Sequence, residues 1–454
     1  ISSNVIAEAA INPDFSQIEA DAAQIDVNST FALFYPERRP FFQEGSDIFR
    51  TLFNSFYTRT VNDPQLAAKV TGRMGGTTFG FFTAVDENSP YMIPLDQRSI
   101  TLNTDKSVTN VLRGLQTVGD DSRIGVFFSD RRQDGGGSGS IAALDGNIRL
   151  SQNYRIDGQF IASHVDEPDD HSHSTFFPGW VTPGYEDSVA MILDEMEFDN
   201  GKHTVAFDGE SYTGHAFISR LRRNGRNLNF TLDYNQVSPS YRTQTGFDPA
   251  SNYRNASAYG SYTFYSEEGL LERITPQIYT SRRWNFDGAP LHKNIFFSMN
   301  NRLKFAQTFI SFGYGRIFER YRGIEFDKLW EANVNVNSRI NSQLGVGAFN
   351  EKGRGIARRL RVKGNETSLD LFLDFKPIDR LMIEPDVSYA KSSDIESGDE
   401  LYKQLILRTR FRYQASRALS LRLVVQYNDS REMVNYASGE TWHDKAWDID
   451  PMIT

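Results

Sequence analysis

The dominant pattern along the chain is an alternation of apolar and polar residues with a period of two. In residues 228–234 every second side chain is large and apolar, and the same alternation recurs in residues 369–376, 405–413 and 419–427. A period of two is typical of β-strands with one apolar and one polar face, whereas the 3.6-residue stripes of helices are almost absent. The pattern therefore predicts an all-β protein of about 20 or more strands.

The connections between the predicted strands alternate in kind. Tight turns such as Asn224-Gly225 and Ser416-Arg417 alternate with longer polar loops. Short turns at one end and long loops at the other are typical of outer-membrane barrels, and strands of about ten residues suit a tilted membrane crossing. Soluble sandwiches and propellers, the alternative architectures, use shorter strands of about 5–6 residues. We therefore predict a large antiparallel transmembrane β-barrel.

One stretch interrupts the alternation. Residues 12–49 mix charged and aromatic side chains, a composition that suits neither a solvated linker nor an ordinary core. Buried charges need paired, hydrogen-bonded partners. We predict that residues 12–64 form an insert that packs into the barrel lumen as a plug. The charged residues that we assign to this insert are Asp14, Glu19, Asp21, Glu37, Arg38, Arg39 and Glu44.

The polar faces of four late strands carry opposite charges. On these strands we expect Leu371, Leu407 and Leu423 to face lipid, so the alternate positions line the lumen. The residues assigned to the lumen wall are Asp370, Asp374, Glu384, Asp386, Arg408, Arg410, Arg412 and Arg422. We expect the arginines to dock the insert by pairing with its carboxylates, Glu37 and Glu44 among them. A transverse field that orients solutes in a pore is the alternative.

Composition excludes several classes of protein. The 454-residue chain has a net charge of -9 and scattered basic residues, which argues against a nucleic-acid partner. It contains no cysteine, which excludes disulfides, cysteine–zinc sites and thiol nucleophiles. We find no catalytic constellation and predict that the protein is not an enzyme. Paired carboxylates such as Glu384 and Asp386 fit pore lining better than glycosidase chemistry.

Two loop features are candidates for ligand binding. A group of metal-ligand residue types matches neither zinc nor EF-hand spacing and is interpreted as a solvated outer loop; it comprises His164, Asp166, Glu167, Asp169, Asp170, His171 and His173. The carboxylates of the insert could hold a hard divalent cation, but salt bridges to Arg38 or Arg39 also account for them. We predict no cofactor, with a divalent cation as the alternative. Trp180 is the candidate platform for stacking a sugar ring, although such aromatics also fix loops.

Three stretches carry a resemblance to a known family. NPDFSQIEAD, FYPERRPFFQEGSDIF and VSPSYRTQTGFDPASNYR resemble a bacterial outer-membrane barrel family of unknown function. Its members usually follow a carbohydrate-binding (family 9-like) β-domain on the same polypeptide. The resemblance covers essentially the whole chain, so residues 1–454 are expected to be one barrel domain and a fragment of a longer chain.

The resemblance implies a location in the outer membrane of a Gram-negative bacterium. The expected function is a plugged pore or receptor linked to glycan binding or uptake. A structural sheath or scaffold within a multiprotein envelope complex is one alternative, and a membrane-bound hydrolase is another. The expected partners are outer-membrane lipid, glycan and other envelope proteins.

Overall fold

The computed structural model describes residues 4–13, 21–170, 197–417, 419–436 and 438–453. Several predicted site residues lie outside these ranges, namely Asp14, Glu19, His171, His173 and Trp180. The helical segments of the described residues are short. They are one α-helix, α1 (Pro40–Gln43), and three 3-10 helices at Ser46–Phe49, Thr58–Thr60 and Phe305–Gln307. No helix in these ranges is long and apolar enough to span a membrane.

Strands account for almost all of the remaining regular structure. The first are β1 (Val5–Ile11), β2 (Pro64–Met74), β3 (Thr77–Asp86), β4 (Ser89–Pro94), β5 (Ser99–Thr104), β6 (Ser107–Val118), β7 (Ser122–Gln133), β8 (Ser138–Arg149) and β9 (Tyr154–Asp166). Next come β10 (Glu197–Phe198), β11 (His203–Thr204), β12 (Ser211–Asn224), β13 (Leu228–Val237), β14 (Tyr253–Tyr262), β15 (Phe264–Tyr265), β16 (Leu271–Trp284) and β17 (Pro290–Leu303). The last are β18 (Phe309–Tyr321), β19 (Ile324–Arg339), β20 (Leu344–Ala357), β21 (Val362–Ile378), β22 (Leu381–Asp394), β23 (Glu400–Gln414), β24 (Ser420–Asn435) and β25 (Glu440–Ile453).

Twenty-one of these strands form one antiparallel sheet. Apart from the small hairpins β4–β5 and β10–β11, each strand pairs with the next along the chain, and the two-residue β15 continues β14 beside β16. This order confirms the predicted large antiparallel all-β structure. Within the described ranges, β1 pairs only with β2 and β25 only with β24, so the recorded ladder has two edges.

The two faces of the sheet differ in what covers them. On β7, Phe127 is buried while the next residue, Phe128, is 45% exposed. Phe128 shares its face with Leu112 and Leu112 shares it with Phe81, because paired residues of adjacent strands point the same way. That face stays exposed and apolar around the sheet, with Phe81, Leu112, Val126, Leu144, Phe160, Leu232, Ile295, Phe312, Val334, Leu371, Leu407, Leu421 and Leu423. The opposite face contacts the insert and is called the inner face below.

The two ends of the sheet also differ. One end has only short turns among the described connections, such as Gly75-Gly76 between β2 and β3. The other end carries the insert and the connections 87–106, 167–210 and 238–252, and is called the long-loop end below. Within the connection 87–106 the structure forms the hairpin β4–β5, which the period-two alternation did not predict. These strands are six residues long and pair only with each other, so they lack the long alternation of the wall strands.

Candidate functional site

The insert begins at the long-loop end of the sheet and lies along the inner face almost to the end that carries the short turns. Asp47 forms an ion pair of 2.8 Å with Arg73, the last residue but one of β2. The chain then turns back, and the amide of Asn62 donates to the carboxylate of Asp86 at the end of β3 (3.0 Å). The insert is therefore a hairpin-like excursion along most of the length of β2.

Inner-face side chains of β2 to β9 bind the backbone of the insert. Lys69 donates to the carbonyls of Glu44 (2.6 Å) and Phe41, and the acid group of Glu8 on β1 lies 2.8 Å from its ammonium group. Arg131 donates to the carbonyl of Thr60 (2.6 Å). These bonds matter because irregular backbone that is shielded from water needs partners for its polar groups.

The same region of the insert packs an apolar cluster against the wall. The rings of Phe56 and Phe82 lie 5.0 Å apart, and those of Phe42 and Phe82 lie 6.0 Å apart. The buried members of this cluster include Phe42, Ile48, Phe49 and Phe53 of the insert and Phe82, Val111, Phe127, Ile141, Ile161 and Ile218 of the wall. Burial of each large apolar side chain contributes about 1.5–3 kcal/mol, so apolar contact adds strongly to the polar bonds.

Residues 21–28 of the insert contact a different part of the wall. The side-chain oxygen of Gln404 on β23 accepts from the amides of Asp26 (3.0 Å) and Val27 (3.1 Å), and its nitrogen donates to the Asp26 carboxylate (2.9 Å). Gln426 on β24 accepts from the amide of Ala23 (3.1 Å). The insert thus connects β20–β24 to β2–β9. Neither glutamine was predicted to bind the insert, because an amide side chain at an inward position of a strand is a weak signal of a binding contact.

Glu37 is the centre of the ionic network inside the insert. One of its oxygens accepts from the amides of Arg38 (2.9 Å) and Arg39 (2.8 Å) and from the guanidinium of Arg39 (2.9 Å). The other accepts from Arg39 (2.7 Å) and from the hydroxyl of Thr58 (2.6 Å). Burial alone would raise the pKa of Glu37, but the hydrogen bonds and charge of Arg39 outweigh it and hold the pKa below its ordinary value.

The remaining predicted residues of the insert make other contacts. Asp21 forms a bidentate pair with Arg59 (2.6 and 2.7 Å), a residue that the sequence analysis did not single out, and Arg38 lies 3.6 Å away. The exposed Glu44 lies beside Glu8 near β2. The carboxylates of Glu37 and Asp21 are therefore engaged within the insert.

The charged wall of β21–β25 pairs its charges between neighbouring strands. Glu384 accepts from Arg410 (2.8 and 2.7 Å) and from Arg412 (3.0 Å). Asp386 lies directly opposite Arg408 in the ladder. Arg422 lies 3.6 Å from Asp450 on the neighbouring strand β25. Asp374 instead lies 3.7 Å from Arg339, which is two strands away on β19, and Asp370 is paired in register with the neutral Ser388.

Among the described residues, Arg410 and Arg412 therefore contact Glu384, and the contacts given above for Glu37 and Glu44 lie elsewhere. Docking of the arginines by Glu19 stays a prediction, because Glu19 lies outside the described residues. Antiparallel neighbours lie only about 5 Å apart, so opposite charges on adjacent strands neutralise each other across the ladder. Glu384 is the nearest carboxylate available to Arg410 and Arg412 on the neighbouring strand. For Lys69 on β2 and Arg131 on β7, the insert supplies backbone carbonyls as acceptors.

The connection between β13 and β14 folds inward and covers the insert. The carbonyl of Thr245 accepts from the amide of Tyr57 (2.8 Å), and the amide of Phe247 donates to the carbonyl of Asn54 (2.8 Å). A side chain at Gly246 would place its Cβ 2.4 Å from the carbonyl oxygen of Asn54, so only glycine permits this approach. The stretch VSPSYRTQTGFDPASNYR thus supplies a second layer of the site.

The fold of this chain is similar to that of several solved structures. The copper transporter OprC is similar with a TM-score of 0.50 and 12% identity, over 86% of this chain and 68% of that one. A mutant of the ferric enterobactin receptor PfeA from Pseudomonas aeruginosa gives a TM-score of 0.48 and 10% identity, over 94% and 70%. OccK2 from the same organism, crystallised with glucuronate, gives 0.40 and 12%, over 83% and 96%. The resemblance to OprC concerns the fold.

The comparison with protein families matches a smaller part of the chain. The family described as "Domain of unknown function (DUF5916)" matches residues 1–69, which hold β1, the insert and the first residues of β2. No curated protein matches the sequence. The stretch that the family match covers is the one that the structure places against the inner face.

Replacing Glu37 with glutamine should loosen the insert. The change keeps the shape but removes the charge that Arg39 pairs with, and a hydrogen bond to a charged partner is worth about 1.5–3 kcal/mol. A loss of about 2 kcal/mol corresponds to roughly 30-fold faster trypsin cleavage within residues 37–61 at neutral pH. Glu44→Gln, an exposed acid of the same insert, is the control and should change little.

The pH dependence of this effect follows from the lowered pKa of Glu37. A depressed carboxyl pKa contributes stability above the unfolded-state pKa, and that contribution is lost as the pH falls through the folded-state pKa. The difference between wild type and Glu37→Gln should therefore vanish in acid, where pepsin replaces trypsin. A difference that persists unchanged in acid would contradict this account of the pair.

A designed disulfide tests where the insert lies. An ideal Cβ at Gly45 would be 3.8 Å from the Cβ of Thr71 on β2, which is about the mean Cβ separation in disulfides. Gly45→Cys/Thr71→Cys should therefore oxidise in air, detected as loss of free thiols and a mobility shift on reduction. The positive φ of Gly45 adds a strain of about 1–2 kcal/mol. Gly45→Cys/Val70→Cys is the control, because Val70 points to the opposite face. Equal thiol retention in both variants would place the insert elsewhere.

Proposed function

We propose that the chain is an outer-membrane barrel whose lumen is closed by the insert, and that it works as a gated pore or receptor. The observation that supports the proposal is that the insert contacts two separate regions of the inner face. Lys69 and Arg131 bind it on β2 and β7, whereas Gln404 and Gln426 bind it on β23 and β24. In the barrel that we propose, an insert attached to both regions would occupy the lumen.

The outer membrane is the environment that fits the exposed face of the sheet. Monomeric soluble proteins rarely expose apolar patches larger than a few hundred Å². Here the apolar face continues from Phe81 to Leu423 around the sheet. Most strands of the sheet are between 10 residues long, as β13 is, and 17 residues long, as β21 is. Strands of this length can cross a bilayer when tilted. We therefore propose that this face contacts lipid.

We propose a glycan as the cargo, and this part rests on the family resemblance alone. Trp180, the proposed sugar platform, lies outside the described residues. The competing proposal is a scaffold barrel within an envelope assembly, which the occluding insert would suit equally. Purification of the native complex in mild detergent separates the two, because a scaffold retains stoichiometric partner chains and a solute receptor does not.

Removal of the insert should open the barrel. Asn12 and Gln65 are adjacent, since the amide of Asn12 donates to the carbonyl of Gln65 (2.8 Å), so an Asn-Gly turn can replace residues 13–63. Wild type should give no steady current in planar bilayers, and the turn variant should give large stable currents. Wild-type currents as large as those of the turn variant would overturn the proposal.

The deletion also exposes apolar wall residues and could cause misfolding. A second variant therefore tests the proposal with the insert still present. Gln404→Ala/Gln426→Ala removes only the side chains that hold residues 23–27. It should give intermittent currents without loss of β-structure in circular dichroism. The disulfide variant of Gly45 and Thr71 is the matched closed control and should stay silent in the oxidised form.

Substitution of neighbouring residues on β19 should reveal which face meets lipid. Val334 is 40% exposed on the apolar face, and Asn335 points inward. An arginine on the lipid face near the midplane costs about 2–4 kcal/mol, whereas a lumen position is tolerant. Val334→Arg should therefore lower the free energy of unfolding from lipid vesicles by that amount, and Asn335→Arg should have a small effect. The reverse ranking would invert the assignment of faces.

A further inference from the structure

The base of the connection between β9 and β12 brings three carboxylates together. The chain leaves β9 at Glu167 and returns through Glu210, and the amide of Glu167 donates to the carbonyl of Glu210 (2.8 Å). Asp169 and Asp208 face each other in an isolated antiparallel bridge. Carboxylate oxygens of Glu167, Asp208 and Glu210 all lie within 4.8 Å of one another. This backbone pairing fixes the three acids in register.

Glu167 supplies a second observation that points to a ligand. Its side chain is only 8% exposed, although the sequence analysis placed it in a solvated loop. One carboxylate oxygen accepts from the hydroxyl of Tyr212 (2.6 Å), and the other has no hydrogen-bond partner among the described residues. A buried carboxylate oxygen without a partner is costly, and an unobserved ion is one of the few explanations for it.

The local charge balance also calls for a cation. Arg242, buried against the ring of Phe198 at 4.3 Å, is the positive group that acts on Glu167. Three carboxylates and one guanidinium carry more negative than positive formal charge. The ring nitrogen of His203 lies 2.8 Å from the Glu210 carboxylate as a hydrogen-bond partner. A divalent cation would restore neutrality.

We propose that Glu167, Asp208 and Glu210 bind one Ca²⁺ ion. The three side chains offer only oxygen, which hard cations prefer, and Ca²⁺ accepts flexible coordination at about 2.3–2.6 Å, so ligands across the ion lie up to about 5 Å apart. Mg²⁺ demands a tighter octahedron with ligands at about 2.0–2.1 Å. Ca²⁺ would join the two ends of the connection above the apolar cluster of Tyr91, Leu102, Val165, Phe207 and Tyr212. This site does not depend on the proposed gating.

Calcium alone is the probe for this site. The full chain is stripped with a chelator in detergent and titrated with CaCl₂ by calorimetry, and wild type should show saturable binding. Glu167→Gln keeps an acceptor for Tyr212, and Asp208→Asn alters a more exposed position; each should weaken binding at least about tenfold, the effect of losing one charged ligand. Glu396→Gln, an exposed acid of another connection at the same end, is the control and should bind as wild type does.

A local readout keeps the test independent of global folding. Lys202 is exposed in the same connection, so Ca²⁺ should slow trypsin cleavage there in wild type and in Glu396→Gln, but not in the two site variants. Absence of saturable Ca²⁺ binding, or equal binding in wild type and both site variants, would overturn the proposal. Tighter binding of Mg²⁺ than of Ca²⁺ by wild type would overturn the choice of ion.

Discussion

Buried cations on the inner face need more acceptors than the sheet itself provides. Lys69 is 4% exposed and Arg131 is 1% exposed, although both lie on strands of the wall. An isolated buried charge costs several kcal/mol, so each must be neutralised or hydrogen-bonded. The insert supplies carbonyl groups for both, and its irregular backbone would otherwise lack donors. Wall and insert therefore complete each other's hydrogen bonding.

The two regions of the wall hold the insert with different strengths. Residues 41–61 meet charged donors and an apolar cluster, whereas the described bonds of residues 23–27 come from the neutral amides of Gln404 and Gln426. A neutral hydrogen bond contributes about 0.5–1.5 kcal/mol, and a charged one contributes about twice as much. Among the described contacts, residues 23–27 are therefore held by fewer charged bonds than residues 41–61, with the bond from Gln404 to the Asp26 carboxylate as their charged contact.

Period-two alternation was sufficient to predict the sheet, because each wall strand has an exposed apolar face that extends over most of its length. The hairpin β4–β5 escaped, since six residues carry too little periodicity to separate a strand from a loop. Mixed charge and aromatic content also marked the insert. Its partners were not predictable, because Arg410 and Glu384 face each other only once the register of β22 and β23 is fixed. Likewise, Glu167 gave no sequence signal of burial, which depends on a return of the chain 43 residues later at Glu210.

Both ends of the insert are attached to adjacent strands, β1 and β2, at the same end of the sheet. Mechanically it is a loop on two hinges and not a separable stopper. A pull from the short-turn end acts on the tip near Asp47 in shear and loads all of its wall contacts together. A pull from the long-loop end peels the contacts one after another, which requires far less force. A pull from the long-loop side therefore has the mechanical advantage for displacing the insert from the inner face.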